Sequence, residues 1–379
     1  MDGHSPQNWD RFYRGSLRLP IPDEDGERLR RATGHSYSNP AFWVVFDTNQ
    51  LLSDFKFSSP DGQHLLQLVN ILDGAFCFPE VVIAEQERHY RREIEKVSGA
   101  LRSLKRLTGK EPKEVSAYIE EVQHYGGFLK WELYDYRPLI YDYPEVPHEV
   151  VIKRMFEGLK PFRNDTDKPD VGYRDFLLWC SVVSLLLADS STRVMFVTGN
   201  YKDFCADASG NQLAPDLVAD LTSYGIDSAR VSCFRSRSEL RAALNRRADP
   251  FAAAFLEADP TWYMRFRDTI LAEAINRVWN AQPKHHEGEP GPRIYDMRDP
   301  SFIVCAIKKK LCGVLVEGRS YYEWDWHFGN PEQRDSDNGD YSWVRILMGL
   351  SREIRWIEVD GVRVRGPFAP AQSARQESS

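Results

Sequence analysis

Four acidic residues stand where the chain predicts that strands end or helices begin. They are Asp47, Glu85, Asp175 and Asp203. Ligands of parallel sheets bind beyond the carboxyl ends of the strands, so acids at these positions can share one cleft. Two carboxylates about 4 Å apart repel by about 4 kcal/mol at an effective dielectric constant near 20. Three or four of them therefore favour a bound divalent cation, and carboxylate oxygens suit Mg²⁺ or Mn²⁺.

A carboxylate-bound cation of this kind can activate a water and offset the charge of a phosphodiester. A single acid at the end of a strand is more typical of a solvated or helix-capping residue. It is the joint placement of four acids that favours hydrolytic chemistry.

The elements around these acids alternate between apolar strands and helices. The run 42–46 predicts a buried strand ending at Asp47, and 193–198 predicts another, followed by the loop that carries Asp203. Between them, Val81–Ile83 is predicted to be a strand that turns into a helix at Glu85. Alternation of this kind predicts an α/β fold, with a parallel sheet flanked by helices.

Beyond residue 250 the pattern changes to helices and then to short β runs, among them 312–317 and 321–328. Asp360-Gly361 between two apolar runs predicts a type I′ hairpin turn, so a smaller antiparallel β domain is expected at the C-terminal end. The predicted organisation is an irregular leader (1–40), an α/β domain (41–246) with a helical insertion (about 86–160), a helical connector and linker (247–290), a β domain (291–366) and a disordered tail (367–379).

Charge argues against a protein that coats nucleic acid nonspecifically, because 56 Asp and Glu outnumber 49 Lys and Arg and the net charge is −7. A local basic segment is still present: nine Lys and Arg but only four Glu lie between Gln86 and Lys113. This segment is either a solvated helical face or an arm that contacts phosphates.

Targeting signals and disulfide patterns are missing from the sequence. The longest apolar run, Phe176–Ala188, is too short to span a bilayer, and the first forty residues contain no apolar segment of a secretory signal. Six cysteines without a C-x-x-C pair do not indicate a disulfide scaffold or a zinc ribbon. We therefore expect a cytoplasmic protein with no membrane partner.

Four motifs together resemble a PIN-domain nuclease, over about residues 41 to 235. They are Phe46-Asp47-Thr48-Asn49, Pro79-Glu80-Val81-Val82-Ile83-Ala84-Glu85, Gly172-Tyr173-Arg174-Asp175 and Phe196-Val197-Thr198-Gly199-Asn200-Tyr201-Lys202-Asp203-Phe204. The similarity is greatest to the bacterial branch with a long helical insertion after the second strand.

The resemblance implies that Asp47, Glu85 and Asp175 are catalytic, metal-binding acids. Where many PIN domains have the fourth acid, this chain has Asn200, and Asp203 is expected to take that role. Supporting polar residues are expected to orient a carboxylate or a water: Thr48, Asn49, Thr198 and Asn200. Basic residues beside the motifs are candidates for nucleic-acid contact: Arg88, Arg91, Arg92, Arg174 and Lys202.

The function implied is that of an Mg²⁺- or Mn²⁺-dependent endonuclease, with single-stranded RNA as the expected substrate because of the family. Expected roles are RNA processing or a toxin or phage-defence function, with a homodimer or a protein partner bound by the β domain. One alternative is a nucleic-acid-binding scaffold that has lost catalysis, which retention of the three core acids argues against. Another is a haloacid-dehalogenase-like phosphatase, whose chemistry wants an acid where this chain has Asn49.

Overall fold

The computed structural model of the chain describes two compact units. The described residues are 17–18, 40–108, 133, 139–141, 143–144, 146–162, 172–188, 190–206, 212–260, 262, 266, 271, 274, 294–311, 313–326, 335–349 and 353–365. Those within 1–22, 38–62 and 73–243 form the first unit, and those within 63–72 and 244–379 form the second.

The first unit is built on a sheet of five parallel strands in the order β4-β3-β2-β5-β6, with a two-residue strand β1 antiparallel to β4. The strands are β1 (Leu17–Arg18), β2 (Phe42–Phe46), β3 (Gly74–Pro79), β4 (Leu139–Tyr141), β5 (Val194–Val197) and β6 (Val231–Phe234). The α/β class predicted from the sequence is therefore confirmed.

Strand β2 lies at the centre of this sheet, and each of its five residues is buried. Val45 pairs with Cys77 of β3 on one side and Phe196 of β5 on the other. The backbone N–H of Asp47 donates to the carbonyl of Val197 (2.8 Å), so the carboxyl ends of β2 and β5 lie side by side. This edge of the sheet carries the first candidate acid.

Helices follow the strands. They are α1 (Thr48–Leu51), α2 (Pro60–Ile71), α3 (Glu80–Thr108), α4 (His148–Glu157), α5 (Tyr173–Ala188), α6 (Tyr201–Phe204), α7 (Pro215–Ser223), α8 (Arg237–Arg247) and α9 (Pro250–Ala258), with a 3₁₀ turn at Ser228–Arg230. The longest apolar run of the sequence lies on α5, whose Trp179 is buried to 1% exposure.

Two local predictions in this unit are wrong. Val81–Ile83 is not a strand, because the strand ends at Pro79 and Glu80 already begins α3, which places Glu85 in the second helical turn. The β-branched run is buried on a helix instead of in the sheet. Asp203 lies in the short helix α6 and not in a loop.

The second unit contains an antiparallel sheet in the order β11-β10-β9-β8-β7. The strands are β7 (Ile294–Lys310), β8 (Gly313–Trp326), β9 (Asp335–Met348), β10 (Ile354–Val359) and β11 (Val362–Arg365). The two runs predicted at 312–317 and 321–328 are one strand, β8, because the intervening Gly318 pairs with Val304 and Val344. Asp360 and Gly361 have φ values of 48° and 86°, as the predicted type I′ turn requires.

The edge strand β7 of this sheet is covered within the same unit. The backbone N–H of Val304 donates to the Gln67 side chain (3.2 Å), and the Asn70 amide donates to the Val304 carbonyl. Phe302 packs edge-on against Phe266, with ring centroids 5.0 Å apart. Covering an edge in this way blocks pairing with further strands.

Several predictions fall outside the described residues. These are the leader apart from residues 17–18 and 40, most of the helical insertion beyond residue 108, most of the connector and linker beyond residue 260 and the tail at 367–379. Within the described part of the chain, no helix combines the length and the apolar character needed to cross a bilayer.

Candidate functional site

Asp47 directly follows the central strand β2 and is buried, at 4% exposure. Its Oδ2 accepts hydrogen bonds from the Thr198 hydroxyl (2.8 Å) and the Asn49 amide (3.2 Å). Burial raises the pKa of Asp47, and these two hydrogen bonds act in the opposite direction. The carboxylate is thus fixed at the sheet edge but incompletely compensated for its lost hydration.

Glu85 is linked to the neighbourhood of Asp47 through Thr48, the residue that follows Asp47. The Thr48 hydroxyl donates to Glu85 Oε2 (2.8 Å), so α1 and α3 are joined at this point. The other oxygen of Glu85 forms an ion pair with Arg174 of α5. His89 lies one turn further along α3, with its Nε2 3.8 Å from the same oxygen.

Asp175 lies in the first turn of α5, and the Asn200 amide donates to its Oδ2 (2.9 Å). Burial raises the pKa of Asp175 to about 7, and the negative charges of Asp47 and Asp203 add to the rise. Arg174 and the hydrogen bond from Asn200 lower it in part. Asp47 and Asp203 therefore lie close enough to Asp175 for their charges to act on its carboxyl group.

Asp203 lies in α6, directly beyond β5, and is 3% exposed. Its backbone N–H donates to the Asn200 carbonyl (2.9 Å), and the Asn200 N–H donates to the Thr198 hydroxyl (2.9 Å). One short segment after β5 therefore contributes an acid and two of the polar residues that hold the other acids.

The donor set of this site suits a hard divalent cation. Carboxylate oxygens predominate, and burial together with the charges of Asp47 and Asp203 disfavours the ionised form of Asp175, which a cation would relieve. As the side chains stand, no three Asp, Glu, His or Cys residues among those described are grouped as metal ligands. The protein partners of these carboxylates include Thr198 for Asp47, Arg174 for Glu85 and Asn200 for Asp175.

The basic residues predicted to contact nucleic acid are at two places. Arg88, Arg91 and Arg92 are exposed on α3, within two turns of Glu85. Arg174 is 62% exposed at the start of α5, and Lys202 is exposed on α6 beside Asp203. All five side chains are open to solvent on elements that also carry a candidate acid.

Two positioning residues have no recognisable signal in the sequence. Gln86 is fully buried, and its amide donates to the Thr48 carbonyl, so α3 holds both the main chain and the side chain of Thr48. The Lys160 ammonium donates to the carbonyls of Lys202 and Cys205 at the end of α6. Both contacts join segments far apart in the chain, so local spacing does not predict them.

Acids at the carboxyl edge of a parallel sheet define an α/β protein whose site suits metal-assisted chemistry on phosphate esters. Residues 44–204 match the family model of the PIN domain, which supports a PIN-domain family for this part of the chain. PIN domains are typically nucleases that use divalent metal ions, and the family implies a nucleic-acid ligand. No curated protein and no solved structure matches the chain significantly.

Proposed function

We propose that this protein is an endoribonuclease that hydrolyses phosphodiester bonds of single-stranded RNA with Mg²⁺ or Mn²⁺. The observation that carries the proposal is the placement of Asp47, Asp175 and Asp203 at the carboxyl edge of the parallel sheet, where burial and the charges of Asp47 and Asp203 raise the pKa of Asp175 to about 7. Acids whose pKa is raised by burial and by neighbouring acids lower the stability of a fold when they ionise, and such groups concentrate at functional sites. The preference for RNA comes from the PIN family.

The chain's own residues would position the reactants. Asp47, Glu85, Asp175 and Asp203 would hold the cation. When bound, it supplies Lewis acidity, which activates a water and offsets charge on the phosphate. Thr198 and Asn49 orient Asp47, and Thr48 orients Glu85. Asn200 fixes Asp175, so each supporting polar residue sets the direction of a carboxylate oxygen.

Substrate would approach along the exposed cations. Arg88, Arg91 and Arg92 of α3 offer guanidinium groups to backbone phosphates, with Arg174 and Lys202 nearer the acids. These contacts are independent of base sequence, since they address phosphates alone. Cleavage is proposed to leave a 5′-phosphate and a 3′-hydroxyl.

The biological setting is proposed as RNA processing or a toxin or phage-defence role in the cytoplasm. None of the five cysteines that the structure describes is part of a disulfide, in agreement with a reducing compartment. A homodimer of the PIN unit and a protein partner of the β unit remain part of the proposal.

One observation favours a second candidate, a nucleic-acid-binding scaffold without catalysis. It is the pairing of Glu85 with Arg174, which satisfies that carboxylate without a metal. The two candidates differ in whether phosphodiester bonds break.

Cleavage of end-labelled single-stranded RNA and DNA with Mn²⁺ or Mg²⁺ tests the proposal. Wild type is compared with Asp47→Asn and Asp175→Asn, and with Asp61→Asn as a control that removes an exposed acid paired with Arg241. We expect metal-dependent cutting of RNA that only the first two substitutions abolish. Absence of cutting, together with RNA binding that does not depend on metal, would establish the scaffold.

A further inference from the structure

Arg174 is a permanent positive charge placed against two of the candidate metal ligands. Its guanidinium pairs with Glu85 Oε1, and its charge also acts on the adjacent Asp175 carboxyl. The other oxygen of Glu85 is already bonded to Thr48. Arg174 therefore occupies Glu85 Oε1, the oxygen that the bond with Thr48 leaves available to a metal ion.

We propose that Arg174 is an internal cation that exchanges Glu85 for a substrate phosphate, so that nucleic acid and divalent metal bind cooperatively. This inference rests on the proposed function and concerns its regulation. In the free protein, Arg174 neutralises Glu85 and competes with metal. When a phosphate takes the guanidinium, Glu85 is released to the metal.

The exposure of Arg174 makes this exchange feasible. Its side chain is 62% exposed, whereas Glu85 is 18% exposed, so the arginine can leave while the carboxylate stays in place. Guanidinium groups bind carboxylate and phosphate with the same forked geometry. An ion pair with one solvated partner is also weak enough to be exchanged.

Arg237, in the same unit, forms an enclosed ion pair with which the exposed pair of Arg174 can be compared. Arg237 pairs with Asp54 at 3.1 Å, with side-chain exposures of only 13% and 7%. Its guanidinium also lies 4.6 Å from the centre of the Phe57 ring. That pair is enclosed and tied to an aromatic ring, while the pair of Arg174 faces solvent.

Thermodynamic linkage makes the inference measurable without any cleavage. If phosphate removes Arg174 from Glu85, nucleic acid strengthens metal binding, and metal must strengthen nucleic-acid binding by the same factor. If Arg174 only held Glu85 in place, removing the arginine would weaken metal binding instead.

The first test measures Mn²⁺ affinity by titration calorimetry or by the electron paramagnetic resonance of free Mn²⁺, without nucleic acid. Arg174→Gln is compared with wild type and with Arg241→Gln, which removes an equal charge from a pair with Asp61. We expect Arg174→Gln to bind Mn²⁺ about fivefold to tenfold more tightly, and Arg241→Gln to match wild type. Thermal unfolding checks that both variants are folded.

The second test adds a fluorescent phosphorothioate oligouridylate dodecamer and follows its anisotropy with and without Mn²⁺. We expect the enhancement by Mn²⁺ to be at least about threefold smaller in Arg174→Gln than in wild type or Arg241→Gln. Arg174→Lys, which keeps the charge but loses the fork, should lie between them.

The outcomes separate this inference from the proposed function. Equal or weaker Mn²⁺ affinity in Arg174→Gln, with wild type binding Mn²⁺, overturns the role of Arg174 and leaves the metal site intact. If neither protein binds Mn²⁺, the metal-dependent function itself fails, and this inference fails with it.

Discussion

Both units of this protein contain acids that are largely shielded from solvent, but the electrostatic surroundings of these acids are opposite. In the antiparallel sheet, Glu358 accepts hydrogen bonds from Arg345 (3.1 Å) and Arg363 (2.9 Å). Although burial alone would raise the pKa of Glu358, these bonds outweigh it and lower the pKa. At the edge of the parallel sheet, burial and the neighbouring acids raise the pKa of Asp175 to about 7.

The difference follows from what stands opposite each acid. Cross-strand pairing in the second unit places Glu317 beside Arg345, Arg345 beside Glu358, and Glu358 beside Arg363. Alternating charges of this kind satisfy one another and need no ligand. The first unit instead places Asp47 and Asp203 near Asp175, where their charges raise its pKa and the charge of Arg174 lowers it only in part.

The largest expected effect tests whether Asp203 belongs to the like-charged cluster. We expect Asp203→Asn to lower the cleavage rate by about 10²–10³-fold, because it removes a proposed metal ligand and alters the charge around Asp175. Steady-state cleavage of labelled RNA at saturating Mn²⁺ measures the loss. A reduction of less than about threefold would show that this acid only supports the fold.

A smaller effect, on stability, reports the repulsion directly. In the metal-free folded protein the pKa of Asp175 is about 7, above its ordinary value of 3.8. The folded state therefore holds this proton more tightly, and the associated stability is complete below about pH 4 and lost as the pH rises to about 7. Asp175→Asn removes the penalty of ionisation, so the variant should be more stable at pH 8 by about 2 kcal/mol.

Urea unfolding in the presence of a chelator at pH 4 and pH 8 checks this prediction. The difference between Asp175→Asn and wild type should shrink towards zero at pH 4, where the wild-type group is protonated. A variant less stable than wild type at pH 8 would contradict the like-charge account. Asp61→Asn, at an exposed acid, controls for the loss of one negative charge.

The sequence predicts the parts of this comparison that depend on local pattern. Strand β2 is predictable because both faces of a central parallel strand are buried, which requires a continuous apolar run. The end of that run places Asp47 at the carboxyl end of the strand. The Asp360-Gly361 turn is predictable because few residue pairs tolerate two positive φ angles.

Contacts between distant segments are not predictable in this way. The partner of Glu85 is Arg174, although several arginines on α3 lie much closer to Glu85 in the sequence. Val81–Ile83 has β-branched side chains suited to a strand, yet burial on α3 outweighs that propensity. Tertiary packing decided both cases.

Lys160 allows a finer test of how the acidic cluster is positioned. Its ammonium donates to two carbonyls at the end of α6, while its own carbonyl accepts from Arg154 (2.8 Å). Lys160→Met keeps the aliphatic stem but frees α6, so we expect cleavage to fall about tenfold as Asp203 loses its fixed position. Lys153→Met, at an exposed lysine paired with Glu157, is the control.

A mainly structural role of Lys160 would give a different result. Its substitution would then lower the midpoint of thermal unfolding and leave the cleavage rate per folded molecule unchanged. A loss of activity with an unchanged midpoint of thermal unfolding supports a role of Lys160 in positioning α6. A higher Mn²⁺ concentration should restore the activity only if the loss stems from weaker metal binding.

The smallest expected effect comes from the balanced region. Glu358→Gln removes a charge that two arginines share, but both of these are about half exposed, at 46% and 51% of their side chains. Solvent screening therefore limits the cost to about 1 kcal/mol of unfolding free energy. Because the pKa of Glu358 is lowered in the folded state, this stability is present at neutral pH and lost as the pH falls through that pKa.

The sign of this effect completes the contrast between the two regions. Neutralising Glu358 should destabilise the protein at pH 8, whereas neutralising Asp175 should stabilise it at the same pH. Neutralising Glu358 should also leave Mn²⁺ affinity unchanged, since its partners are supplied by neighbouring strands. Paired urea titrations of the two variants at pH 8 measure both changes in the free energy of unfolding. Changes of the same sign would mean that Asp175 and Glu358 have equivalent electrostatic surroundings.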